Sequence, residues 1–387
     1  MSVRFELNEK GFLVTDLISV QAVDRSFFGR EVNGKKIHLE LEPEEALYLL
    51  DVRKAECEKN GKAISFNQAA ERFAKNRKFL ARYYCYRDWR DRGLIPRFLD
   101  EAQGPYSKSP LEAYPSKSAS FAKVKARGLF FDDDLMAVID DEKEGEKLFE
   151  EHWFGQYGTY KAKKHGQFLK LDAYETLFLA EHAGLKLNES PAKIQKEAVK
   201  RRPDFLDLYR VYEDWRLRGY VLKTGFKFGT HFRLYFPGAK PSLQTGQWMH
   251  SKHVIHCFPR SAKMLISEWA RAIRVAHGVK KTFILAIPGE PVKAANTPLD
   301  FLLYHRKDGG IDTPRHDAPT YAMLALSEEE EIGGQELAEA IEASKKMGLD
   351  LMLSICDRET SITYYRVKRI ELPKSTYEYY EIEWVQP

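Results

Sequence analysis

No stretch of this 387-residue chain stays apolar for anything near the 18 residues that a membrane-spanning helix needs, which excludes a helical membrane span. The first residues, MSVRFELNEKG, are polar and charged where a signal peptide carries an apolar core, so a cytoplasmic location is expected. Cysteine is scarce: Cys57, Cys85, Cys257 and Cys356 stand far apart and form no CxxC pair. A structural zinc site needs clustered ligands and a disulfide framework needs a small, cysteine-dense chain, so reduced thiols are expected. A strong charge of one sign is missing too. The 61 Lys and Arg against 57 Asp and Glu leave a net +4, which favours a polyanionic partner only mildly.

What the chain does have is length, aromatic residues and internal likeness. At 387 residues it exceeds one ordinary core, so two or three domains are expected. The 20 Tyr and 23 Phe suit base stacking and a β-rich core equally. The run YRDWRDRG at 86–93 returns as YEDWRLRG at 212–219, 126 positions later, and Phe27-Phe28-Gly29 answers to Trp153-Phe154-Gly155 at the same offset. Between them LELEPEEALYLL (39–50) resembles LKLDAYETLFLA (169–180) at an offset of 130. Three anchors in one order point to two copies of one module, the second with about four extra residues after Gly155.

A second likeness follows. EWARAI (268–273) and the apolar run 282–287 match ELAEAI (336–341) and 351–355, with the helices 68 positions apart. Each copy reads as an amphipathic helix and a buried strand, with LDFLLYHR (299–306) and TSITYYRVKRI (360–370) as the next strand of each. The fold class expected is α+β, with duplicated N-terminal α/β modules and duplicated C-terminal modules of mixed sheet with flanking helices. The boundaries fall at 1–103 for the first N-terminal module, 104–120 for a Pro-, Ser- and Lys-rich linker, and 121–202 for the second N-terminal module. Residues 203–306 form the first C-terminal module, 307–318 a second linker and 319–387 the last module. The centre of the chain then holds one complete unit, and its two ends hold the halves of another.

Chemistry concentrates in the central unit. In the run HFRLYF (231–236) the alternation puts Phe232 and Leu234 on one strand face and Arg233 and Tyr235 on the other. His250 opens the next strand-like segment, and Lys281 stands where a helix gives way to the strand 282–287. Ends of adjacent strands converge on a small site, as acid–base chemistry requires. The runs KTGFKFG (223–229), Phe232-Arg-Leu-Tyr235, His250-Ser251 and RVAHGVKK (274–281) resemble the catalytic domain of archaeal tRNA-splicing endonucleases, and with the repeated modules the resemblance covers most of the chain. The arrangement is similar to the fused three-unit, homodimeric variety, in which an extra N-terminal module and a silent C-terminal module flank the active unit.

The resemblance implies a metal-independent endoribonuclease, without cofactor, that cuts precursor tRNA at bulge–helix–bulge motifs. Tyr235 matches the family tyrosine as general base, His250 the histidine that protonates the leaving 5′-oxygen, and Lys281 the lysine that stabilises charge on phosphorus. Free tyrosine titrates near about 10, so a cationic neighbour is expected beside Tyr235, and Lys281 is one such group. Taken singly these residues are ordinary: strand tyrosines usually pack, and a lysine after a helix usually complements its C-terminus. Together, in family order, they outweigh that reading. His253 and His256 compete with His250, which alone precedes Ser251, and Lys280 competes with Lys281, which the register of the following strand favours. At an offset of 68, Lys281 falls on Leu349 and His250 near Ala318, so the reactive residues vanish from the second copy.

For RNA binding, Arg274 matches a family arginine, Arg306 is a second candidate, and Lys161 and Lys164 sit beside Tyr160 in a glycine-bounded loop (157–166) that the first module lacks. For the expected homodimer, the acidic run 327–331 and the pair Asp357 and Glu359 are alternative docking loops, and the tail 376–387 reads as a strand able to seal the dimer. The competing class is a non-catalytic RNA-binding scaffold built of the same modules.

Overall fold

A computed structural model describes residues 3–32, 38–107, 110–159, 165–242, 249–293, 299–307 and 310–387. Two short helices, Pro43–Asp51 and Ala173–His182, start in the same way: a carboxylate at the N-cap and a glutamate three residues on that reaches back to the cap amide. In the first, Glu45 accepts from the Glu42 N–H at 3.0 Å; in the second, Glu175 accepts from the Asp172 N–H at 3.2 Å. This reciprocal arrangement satisfies amides that the first helical turn leaves free. Each helix backs a small sheet. The first runs in the order Arg30–Val32, His38–Leu41, Phe12–Val14, Arg4–Leu7, Glu56–Lys59, Lys62–Ala63, and the second Gln156–Tyr157, Leu169–Asp172, Met136–Ile139, Leu129–Phe131. The longer helices Phe79–Asp91 and Phe205–Leu217 follow, each burying a tryptophan, Trp89 and Trp215.

After each tryptophan helix the chain enters one large eleven-stranded sheet. Its order is Val221–Thr224, Phe232–Tyr235, His253–Cys257, Thr282–Ala286, Tyr379–Val385, Ile362–Glu371, Asp350–Cys356, Tyr321–Ser327, Phe301–Tyr304, Ile95–Phe98, with Glu112–Ala113 alongside Ile362–Glu371. The sheet is built alike from both ends. Phe283 faces Ile382, Leu351 faces Val367, and Val367 faces Ile382, so an approximate two-fold axis passes between the last two strands. The parallel pairs His253–Cys257 with Thr282–Ala286, and Tyr321–Ser327 with Asp350–Cys356, are each joined through a helix, Ile266–Gly278 or Gly334–Lys346. Trp269, Ile273, Leu337 and Ile341 of these helices pack on Phe283, Leu285, Leu351 and Leu353. Each large side chain so buried contributes about 1.5–3 kcal/mol relative to exposure. The opposite face is covered by the two N-terminal assemblies, around Trp215 at one end and Trp89 at the other.

Two strand readings are corrected. Residues 299–306 do not extend the sheet beyond Thr282–Ala286; Phe301–Tyr304 pairs with Tyr321–Ser327 and Ile95–Phe98 at the far end. It occupies the place that Phe232–Tyr235 has at the near end, where Tyr235 faces Val221 as Tyr304 faces Ile95. All four of its residues are buried, so alternation gave no clue to its neighbours. The tail strand Tyr379–Val385 is central, paired on both sides, and its edges are unavailable for strand addition to a second chain. All four cysteines are free and buried. Among the described residues, no helix is long and apolar enough to cross a membrane.

Candidate active site

The run KTGFKFG ends the strand Val221–Thr224 and folds into the short turn Phe226–Phe228. Glycine is required at 225, because a Cβ there would meet the Thr230 hydroxyl oxygen at 2.5 Å and its carbonyl at 2.7 Å. The turn leaves Phe226 87 % exposed and sends the chain back as Phe232–Tyr235, with Phe232 and Leu234 in the core. Arg233 and Tyr235 share the other face, as alternation predicts, and both line a cleft of about 640 Å³, Tyr235 with only 3 % of its surface exposed. Met136, Trp153 and Lys170 form its outer wall, and Phe226, Phe228 and His250 line the side nearer the large sheet.

Contacts made by Arg233, Trp153 and Lys281 organise this site. The Arg233 guanidinium donates to the Tyr235 hydroxyl at 3.2 Å, and a second donor on the same group holds the Thr224 carbonyl at 2.8 Å. The Trp153 ring lies 4.6 Å from the Tyr235 ring. Lys280 takes a positive φ of 56° at the end of helix Ile266–Gly278, which turns the next side chain inward. Lys281 then donates through Nζ to the Ser251 carbonyl and, at 2.9 Å, to the Ser251 hydroxyl, with its ammonium 4.8 Å from the centre of Phe228. Burial lowers the Lys281 pKa below the usual lysine value, and the nearby Arg233 charge acts in the same direction. Lys281 is thus fixed beside the residue that follows His250, while the His250 side chain is exposed at the cleft.

The competing residues are placed elsewhere. His253 is packed between Phe236 and Tyr114, and burial, with Lys252, brings it down to about 4. His256 is 5 % exposed, stacked on Phe283 and 4.9 Å from His231, and burial brings it too down to about 4. Lys280 points outward and is exposed. Arg274 is exposed on helix Ile266–Gly278, against Tyr365 near the middle of the sheet rather than in the cleft wall. Arg306 donates to the Arg92 carbonyl at 2.8 Å, at the far end of the sheet. Lys161 and Lys164 lie outside the described residues. Sequence reading passed over Trp153 and Lys223, whose partners lie far along the chain. It had Arg233 on the right face but assigned it no part, although its place two residues before Tyr235 was the available signal.

Among the described residues one group of side chains has metal-ligand spacing: Glu181, His182 and Glu213. It lies outside the cleft, and its members are already engaged, His182 with Glu213 at 2.6 Å and Glu181 with the Tyr209 hydroxyl. The carboxylates that do line the cleft, Asp172 and Glu175, are taken up by the helix cap and by Lys223.

The segment that supplies Arg233, Tyr235 and His250 to this cleft matches a known family. Residues 205–294 match the family described as tRNA intron endonuclease, catalytic C-terminal domain, and residues 3–70 match its N-terminal domain. A tRNA-splicing endonuclease of Hyperthermus butylicus is 33 % identical over 178 residues, which is 44 % of this chain and 92 % of that protein. The chain belongs to the tRNA-splicing endonuclease family. Another member, from Methanococcoides burtonii, is 25 % identical over 350 residues, 74 % of this chain and 95 % of its own length. The endonuclease of Methanopyrus kandleri is 33 % identical over 150 residues, covering 37 % of this chain and 80 % of that one. Tyr235, His250 and Lys281 all lie within the segment matched to the catalytic domain of this endonuclease family.

Proposed function

We propose that the chain cuts introns out of precursor tRNA at bulge–helix–bulge motifs, without a metal ion, using Tyr235, His250 and Lys281. The observation that carries this reading is that Tyr235 and His250 line one cleft with Lys281 pinned to Ser251 beside it, all three residues inside the segment that matches the family's catalytic domain. The attacking group is the 2′-hydroxyl of the nucleotide before the cut. Its proton passes to the oxygen of Tyr235, which enters this step as the phenolate held by Arg233 and leaves it as the phenol, as the new O–P bond forms. Lys281 offsets the charge that grows on the phosphoryl oxygens. The P–O5′ bond then breaks and His250 protonates the departing oxygen. The products are a 2′,3′-cyclic phosphate and a 5′-hydroxyl, and no water is consumed.

We read the domain plan from the sequence repeats and the matching halves of the large sheet. The central unit, from residue 121 to the end of strand Thr282–Ala286, carries the reactive set. The outer pieces, 1–103 and 299–387, make a second, silent unit by duplication, with Ala318 and Leu349 standing where His250 and Lys281 do. A cytoplasmic homodimer brings two such clefts to one RNA. The Asp357–Glu359 turn suits the acidic contact between chains better than 327–331, because the Glu328 and Glu330 carbonyls already cap helix Ile266–Gly278. Arg274 and Arg306 remain the candidate base-gripping residues, and the 157–166 loop the candidate phosphate contact.

The test is cleavage of a bulge–helix–bulge RNA in EDTA by wild type and by His250→Ala, with the product ends analysed. Cyclic-phosphate ends from wild type and none from the variant are expected. An inactive wild type, a fully active His250→Ala, or 3′-hydroxyl ends would overturn the assignment.

A further inference from the structure

Lys223 stands on the strand Val221–Thr224, directly across from Arg233. Its ammonium leaves the large sheet and crosses to the N-terminal assembly, donating to Glu175 at 2.7 Å and to the Gly155 carbonyl at 2.8 Å. Gly155 in turn donates its N–H to the same Glu175 oxygen at 2.8 Å, which closes a three-membered ring of hydrogen bonds. The Lys223 side chain is 11 % exposed and that of Glu175 5 %, so solvent does little to weaken the contact. The backbone it grips is tightly constrained. Gly155 has φ +60°, and a Cβ there would meet the Lys170 carbonyl at 2.4 Å; Trp153, two residues earlier, is itself left-handed at φ 50°. Trp153 is the residue whose ring packs on Tyr235.

The far end of the sheet supplies an internal comparison. There Arg97 takes the place of Lys223 and holds Glu45 at 2.8 Å and the carbonyls of Phe27 and Gly29 at 2.7 and 3.0 Å, while Gly29 donates to Glu45 at 3.0 Å. Both ends therefore need a cation at this point to join the small sheet to the large one. They differ in what surrounds it. Arg97 is further fixed by Glu101 at 2.7 and 2.8 Å, whereas Lys223 lines the open cleft together with Tyr235 and Arg233.

We propose that Lys223 is a positioning residue for the cleavage reaction: by clamping the Trp153–Gly155 turn it sets the wall against which the Tyr235 ring is held. The proposal rests on Tyr235 being the reacting tyrosine. Lys223 does not touch the scissile phosphate. Its ammonium is spent on Glu175 and Gly155 rather than turned into the cleft, so the effect of its loss falls more on turnover than on binding.

Lys223→Met alone leaves Glu175 buried without its cation and risks unfolding, so it is paired with Lys223→Met/Glu175→Gln, in which the amide oxygen still accepts from Gly155 at the expense of the Asp172 N–H. Single-turnover and steady-state cleavage of precursor tRNA would be measured beside melting temperature. Expected are a fall of tenfold or more in kcat for the folded double variant with KM within about twofold, and recovery to within about threefold in Lys223→Arg, which copies the far end. An unchanged kcat, a loss confined to KM, or a folded Lys223→Arg as poor as the methionine variant would overturn the proposal. Failure of the tyrosine reading shows separately, as full activity of Tyr235→Phe.

Discussion

His256→Leu separates packing from chemistry among the clustered histidines. The imidazole is 5 % exposed, its ring nitrogens have only a marginal hydrogen bond, to the Gly229 backbone, and Phe283 stacks on it at 5.6 Å. Burial brings its pKa to about 4 from the ordinary histidine value of 6.5, with the Gly229 backbone opposing and Arg202 pushing the same way as burial. Because the folded value lies below the unfolded one, the neutral ring's stabilising share is complete above pH 6.5 and is lost as pH falls toward 4. Between pH 7.5 and 5.0 that loss amounts to about 2 kcal/mol, from 1.36 kcal/mol per pH unit over the 1.5 units below the unfolded value. Leucine has no proton to gain and gives up only that marginal contact, so the variant should stay within about 1 kcal/mol of wild type at pH 7.5. It should also lose about 2 kcal/mol less on acidification. His231 and His253, also held below the ordinary histidine value, leave a residual acid sensitivity in both proteins. Urea unfolding at the two pH values reads the stability terms, and precursor-tRNA cleavage at pH 7.5 reads the function. An undiminished acid loss refutes the electrostatic argument, and a folded but inactive variant refutes the choice of His250 over His256.

Three further outcomes are expected. Glu44, buried beside Arg82 at 3.1 Å, is raised to about 7, mainly by burial, so the fold is favoured while this carboxyl is protonated and loses that share as pH climbs from 4.5 through 7. Glu44→Gln should therefore flatten the fall in melting temperature between pH 5 and 8, by on the order of 2–3 kcal/mol in free energy; an unaltered slope counts against it. Phe226→Ala removes a ring that is 87 % exposed at the cleft, so melting should stay within about 0.5 kcal/mol of wild type. RNA affinity should fall by about 1–3 kcal/mol if a base stacks there, and unchanged binding would show that none does. Replacing Lys161 and Lys164 with alanine should slow cleavage and reduce the slope of log affinity against log salt by about one or two; an identical slope would remove this loop from the RNA contact.

The near half of the large sheet was legible because its signals are local. Alternation in 231–236 gave the faces of Phe232, Arg233, Leu234 and Tyr235, and the repeated tryptophan helices marked where each tier begins. The places of Phe301–Tyr304 and Tyr379–Val385 were not legible, because both are flanked on two sides and largely buried, so no alternation reports their neighbours. Pairing over such distances is set by the packed whole rather than by the segment. The same holds for the contact of Lys223 with Glu175 and Gly155, which lie 48 and 68 residues before it. The choice among His250, His253 and His256 also needed the structure, since three histidines within seven positions differ in their packing and not in their spacing.

One expectation changes meaning when the two ends of the sheet are compared. The offset of 68 removed histidine and lysine from the second half, but the strand register there is displaced by one residue, and Tyr304 takes the position of Tyr235. Tyr304 is buried among Ile95, Leu302 and Leu324, with Phe27 against the same cluster, and burial pushes its hydroxyl up to about 12, beyond use as a proton acceptor near neutrality. A tyrosine at this register is thus sufficiently explained by packing, whereas a lysine aimed at Ser251 is not, and only the near end has one. Survival of the ring in both halves says nothing about catalysis; the test must remove the oxygen and keep the ring. Tyr235→Phe does this. The ring contact with Trp153 should persist, so stability should change by no more than about the 0.5–1.5 kcal/mol of one hydrogen bond. Cleavage should fall by about 10²–10⁴, the range of a lost general base. A phenylalanine variant that melts like wild type and cuts like wild type would make Tyr235, like Tyr304, a packing residue.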